Sequence, residues 1–108
     1  MSYRHPAARG RRDANHAAIA QVFRQFGWQW KDTYRVGEGF PDGVALSPDH
    51  YVYLIEIKTP KGPIEDSQVK FLADGWPVRY LRSEAEAINF CQSYVLQSVI
   101  AVQKRAFR

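Results

Sequence analysis

"GFPDGVALSPDHYVYLIEIKTPKG", residues 39–62, decides how the chain is read. Tyr51 to Ile57 is an aromatic and aliphatic run broken only by Glu56, the pattern of a strand buried on both faces. Before it stand the apolar "VALS" and then Pro48, Asp49 and His50, where proline and aspartate supply turn chemistry. A hairpin of 43–47 with 51–57, turning near residues 48 and 49, is therefore predicted. In that hairpin Asp42 falls beside Ile55 or Glu56. Strand alternation sends Glu56 and Lys58 to one face and Ile57 to the other.

Two carboxylates and an amine thus emerge together where a core strand ends. An unpaired carboxylate in such a place is costly, and two neighbouring ones raise each other's pKa. A divalent cation between Asp42 and Glu56 removes the penalty, and hard oxygen ligands favour Mg²⁺ or Mn²⁺. The residues alone leave a plainer reading open beside this one, a Glu56–Lys58 ion pair at a strand end with Asp42 capping a turn.

The flanking elements follow from periodicity. After Asp13, a candidate N-cap, Ile19, Val22, Phe23 and Phe26 share one helical face that stops at Gly27. "WQWKDTYRV", residues 28–36, holds a strand, and the turn-rich "GEGFPDG" leads into the hairpin. A short helix is expected over 65–75 and a strand in "PVRYL". Ser83 and Glu86 then have capping-box spacing ahead of a last helix. Ile88, Cys91, Val95, Val99 and Val102 recur on that helix every three or four residues, as a seam for a dimer or for packing on the chain's own sheet.

Composition bounds the function. The 108 residues, 45% hydrophobic and 24% charged, make one globular domain. No apolar run approaches the roughly 18 residues that span a bilayer, and the first residues hold no apolar signal core, so an intracellular protein is expected. The single cysteine, Cys91, fits a reducing compartment and a packing role. The net charge of +4 gathers at the ends, with Arg4, Arg9, Arg11 and Arg12 in front and Lys104, Arg105 and Arg108 behind, which suits a polyanion or merely solvated tails. Arg35, Lys31, Lys61 and Lys70 could line a phosphate-binding surface with Lys58, and Gly37 and Gly39 would let the backbone approach a phosphodiester. Trp28, Trp30 and Trp76 are read as packed, with base stacking as the alternative. The GxxxxGK[ST] pattern is absent, so no nucleotide cofactor is expected.

Pro41-Asp42 followed by Glu56-Ile57-Lys58 resembles the core of the PD-(D/E)XK nucleases. "VGEGFPD", "YLIEIKTPKG" and "IEDSQVKFL" are similar, in that order, to small stand-alone phage-like members of the VRR-NUC (virus-type replication-repair nuclease) family. The likeness covers residues 13–90, leaving 1–12 as a basic arm and 91–108 as a helical extension that could dimerise. It implies an α/β restriction-endonuclease-like core, a mixed central sheet flanked by helices. It further implies a Mg²⁺- or Mn²⁺-dependent endonuclease cutting branched or Holliday-junction-like DNA, a homodimer in the cytoplasm of a bacterial or phage-infected cell. By the same resemblance Asp42, Glu56 and the backbone carbonyl of Ile57 hold the metal, Lys58 orients the attacking water, and Gln68 assists. Arg35, Gly37, Gly39, Lys61, Lys70, Arg11 and Arg12 would meet DNA.

One position departs from the pattern. Many relatives carry a glutamate three residues before the aliphatic position held by Ile19, and here that residue is His16. A neutral imidazole ligates Mn²⁺ or bonds a metal-bound water but removes a negative charge. The alternative is therefore a catalytically weakened nucleic-acid-binding or assembly module on the nuclease fold.

Overall fold

The computed structural model describes residues 14–94. The basic arm with Arg11 and Arg12, the cap at Asp13, and Val95, Val99 and Val102 of the apolar seam lie outside the described residues.

Helix α1 (Ala14–Gln25) opens the described chain, and its apolar stripe becomes the centre of the core. Ile19, Ala20, Val22 and Phe23 are all buried, with Phe23 and Ile19 losing all contact with solvent. Burial of side chains this large is worth roughly 1.5–3 kcal/mol each. Strand β1 (Gln29–Asp32) follows and is shorter than the alternating sequence promises. The chain leaves the strand at Thr33, where the Val36 amide donates to the Thr33 carbonyl at 3.0 Å and turns the backbone.

Strands β2 (Gly43–Leu46) and β3 (Val52–Ile57) form the hairpin, paired antiparallel as Gly43 with Ile55, Val44 with Leu54, Ala45 with Tyr53 and Leu46 with Val52. Ser47 organises the turn. Its Oγ accepts the Tyr51 amide at 2.8 Å and the Tyr94 hydroxyl at 2.9 Å, and donates to Asp49 at 2.7 Å. Helix α2 (Asp66–Ala73) lies in the crossover to β4 (Val78–Leu81), which pairs parallel to β3. The sheet is thus four-stranded and mixed, in the order β1-β2-β3-β4. A third helix, α3, covers residues 84–94. The Glu86 amide donates to Ser83 Oγ at 3.1 Å, while the Glu86 carboxylate reaches back one residue further, to the Arg82 amide at 2.8 Å.

The two faces of the sheet differ. Trp30, Ala45, Ile55 and Leu81 are buried in one cluster with α1 and with Ala87 and Cys91 of α3. On the other face Val44, Leu54 and Val78 are half-buried and Val52 is 63% exposed. β3 is therefore enclosed on both sides only at Ile55 and Glu56, not along its whole length as its composition implies. The helix on that side, α2, buries none of its own residues and sits by the Glu56 end. Among the described residues no helix is long and apolar enough to cross a membrane.

Candidate functional site

The hairpin register carries the site. One step beyond the Gly43–Ile55 pair, Asp42 comes opposite Glu56. The Asp42 carbonyl accepts the Thr33 amide at 2.8 Å, and its carboxylate accepts the Ile57 amide at 2.8 Å, so this residue ties the ends of β1 and β3 together. Pro41 before it is fully buried, its carbonyl accepting Thr33 Oγ1 at 2.8 Å. Gly43 after it lies under the Trp30 indole, and a Cβ there would overlap that ring. The "PDG" triplet is thus fitted at all three positions.

Glu56 is 4% exposed although it is a carboxylate. Its Oε2 accepts Gln68 Nε2 at 2.7 Å and lies 3.8 Å from Lys58 Nζ. Burial, then the negative charge of Asp42, pushes the Glu56 carboxyl up to about 8, against the opposing pull of Lys58; a side-chain hydrogen bond with Asp42 raises it further and the Gln68 bond lowers it. Tyr80, opposite Glu56 on β4, is also pushed up, by burial and then by the Glu56 charge. A buried acid with this shift, beside a second acid and an amine, is a common signature of a functional centre.

Gln68 is held at both ends of its amide. Oε1 accepts the Glu65 amide at 2.9 Å at the start of α2, and Nε2 donates to Glu56. Lys58 is fixed along its backbone: its amide donates to the Leu81 carbonyl at 3.0 Å and its carbonyl accepts Asn15 Nδ2 at 3.2 Å. Asp42, Glu56, Lys58, Gln68 and the Ile57 backbone are therefore brought together. His16, next to Asn15 on α1, faces β1. It is 5% exposed, with Nε2 3.3 Å from Asp32 Oδ1 and its ring edge-on to Trp30 and Tyr34. Asp32 Oδ1 also accepts Trp30 Nε1 at 2.8 Å.

The donors present match a hard divalent cation in chemistry: two adjacent carboxylates, one of them strained by desolvation, with the Ile57 carbonyl between Glu56 and Lys58. Among the described residues no three His, Cys, Asp or Glu side chains gather to hold a metal.

The residues expected at a phosphate surface divide. Gly37, Glu38 and Gly39 all have positive φ, at 83°, 56° and 80°. A Cβ on Gly39 would overlap the Ser67 carbonyl, so that glycine is required by the packing of the loop on α2. Arg35 lies over the Tyr34 ring at 5.4 Å, and Lys70 pairs with Asp74 at 3.5 Å. Lys61 is exposed in a turn that Arg82 pins, its Nη1 donating to the Thr59 and Gly62 carbonyls at 2.8 Å each. Asn15, Asp32 and Arg82 carried no signal in sequence spacing, because each acts across 16 to 43 residues of chain or through backbone carbonyls.

Comparison with family models, curated proteins and solved structures finds no match to this chain.

Proposed function

We propose that the chain is a divalent-metal-dependent nuclease with a PD-(D/E)XK core of the VRR-NUC kind, hydrolysing phosphodiesters of branched DNA. The observation that carries the reading is the buried Glu56 facing Asp42 across the hairpin end, with Lys58 and Gln68 both directed at its Oε2. A structural ion pair would not need the second carboxylate, which raises the energy of the charged site. The four-stranded mixed sheet also agrees with the mixed central sheet that the resemblance implies.

Asp42, Glu56 and the Ile57 carbonyl would hold Mg²⁺ or Mn²⁺. The bound ion supplies a nucleophilic water near neutral pH and charge stabilisation on the phosphate. The remaining work falls to side chains on the page. Lys58 presents an ammonium beside Glu56, where it orients a water and offsets charge building on the phosphate oxygens. Gln68 neither titrates nor ligates strongly, and its two fixed hydrogen bonds hold the Glu56 carboxylate in one rotamer. Arg35, Lys61 and Lys70, with Arg11 and Arg12, meet the DNA backbone. A homodimer joined through the C-terminal seam would present two centres to two strands.

The test is cleavage of labelled junction, flap, single-strand, duplex and RNA substrates with Mg²⁺ or Mn²⁺. Lys58→Ala should lower the rate at least about 100-fold with the fold intact. A second reading, a nucleic-acid-binding module without catalysis, is favoured by one observation, the pairing of His16 with Asp32 in place of a third acid at the centre. It predicts DNA binding, no cleavage with either metal, and no change on Asp42→Ala.

A further inference from the structure

A cleft of about 560 Å³ opens between the 36–40 loop and α2, lined by Phe40, Phe71, Trp76, Ser67, Lys70 and Asp74 among others. Three aromatic rings line it. Phe71 stacks on Trp76 with centroids 5.5 Å apart and planes 21° from parallel, and Phe40 closes on Phe71 edge-to-face at 5.5 Å. Trp76 is 54% exposed, whereas Trp28 and Trp30 are 3% and 6%. The cleft shares both walls with the carboxylate centre. The loop that supplies Phe40 supplies Asp42 two residues later, and the helix that supplies Phe71 supplies Gln68 three residues earlier.

We propose that this cleft seats one unstacked nucleobase of the strand being cut, stacked on Trp76 with Phe71 behind the indole, next to the phosphate engaged at Asp42 and Glu56. The site rests on the nuclease reading for its ligand and goes beyond it by locating a base. An open aromatic face gains from any base, because every base has a π-face. The rim offers a base edge its acceptors: Glu38 and Asp74 line the cleft, while the exposed Lys70, 3.5 Å from Asp74, stands at its edge for the adjoining backbone phosphate.

The test uses labelled single strands and flaps that each lack one base at a single position, with chelator present so that binding is read without cleavage. Wild-type protein should lose affinity by about 5-fold or more at one abasic position and little elsewhere. Trp76→Ala should bind the intact strand that much more weakly and be indifferent to that abasic position. Trp76→Phe should restore binding. Intact DNA should also quench tryptophan emission in wild type, since Trp76 is the exposed indole, and not in Trp76→Phe. Equal affinity for every abasic strand, or a Trp76→Ala variant that binds and discriminates as wild type does, would overturn the proposal, as would absence of DNA binding altogether. Cleavage by a wild type whose Trp76→Ala variant is unchanged removes the cleft and leaves the nuclease. Base-dependent binding without any cleavage removes the nuclease and leaves the cleft.

Discussion

Replacing Glu56 by glutamine should stabilise the protein at alkaline pH, and the size of the effect follows from the carboxyl's displacement from 4.5 to about 8. Between those values folded Glu56 keeps a proton that the unfolded chain has released. The folded state then binds more protons, so stability falls as pH rises. The loss begins near the unfolded value of 4.5 and is complete above about 8. Each tenfold change in acid dissociation corresponds to 1.36 kcal/mol, so the whole displacement amounts to about 5 kcal/mol. At 4% exposure, solvent screening removes little of it. Glutamine keeps the shape and still accepts from Gln68, but never ionises. Urea unfolding of both proteins at about pH 5, 7 and 9 in chelator measures the difference directly, because other titrations cancel. Wild type should lose about 3–5 kcal/mol relative to Glu56→Gln across that range. Mn²⁺ added at pH 9 to 100 times its dissociation constant should return about 2.7 kcal/mol to wild type and much less to the variant. Parallel stability curves for the two proteins would refute the assignment of Glu56 as a desolvated acid held beside Asp42.

Other substitutions probe the frame around the centre. Gly39→Ala places a Cβ against the Ser67 carbonyl at a positive φ, and should cost about 1–3 kcal/mol in thermal unfolding. Ser47→Ala leaves the Tyr51 amide and the Tyr94 hydroxyl without their shared acceptor, a loss of about 1–3 kcal/mol visible by denaturant titration. Phe23→Ala empties the middle of the aromatic cluster and should cost about 3–5 kcal/mol, with unfolding at ambient temperature the extreme result.

The parts of this architecture that were legible are those governed by local chemistry. Pro48 and Asp49 mark the hairpin turn, and the turn fixes the register that sets Asp42 against Glu56. The apolar spacing of Ile19, Val22 and Phe23 fixes the buried side of α1. What escaped is set by tertiary geometry. The contact of the His16 imidazole with Asp32 has no sequence signal, because only the packing of α1 on β1 brings the two within reach. Gly39 reads as room for a phosphate, and its packing against the Ser67 carbonyl of α2 has no sequence signal. The half-open second face of the sheet has no trace in β3, whose residues are apolar on both sides, because a strand's composition does not report which faces its neighbours cover.

Helix α2 has no buried residue, so its hold on the molecule comes from a few contacts such as Phe40 on Phe71 and the Gln68 hydrogen bond to Glu56. An element held so lightly is a natural unit of partial opening, separating at a lower free energy than the core behind it. When it lifts, Glu56 loses the Gln68 amide while Phe23 and Ile55 stay packed. Amide exchange over 66–73 should therefore run ahead of exchange in β3, and a ligand that bridges Glu56 should slow the helix more than the strand. The catalytic arrangement proposed above would then exist only in the closed fraction of molecules, and occupancy of that fraction would scale every rate the centre supports.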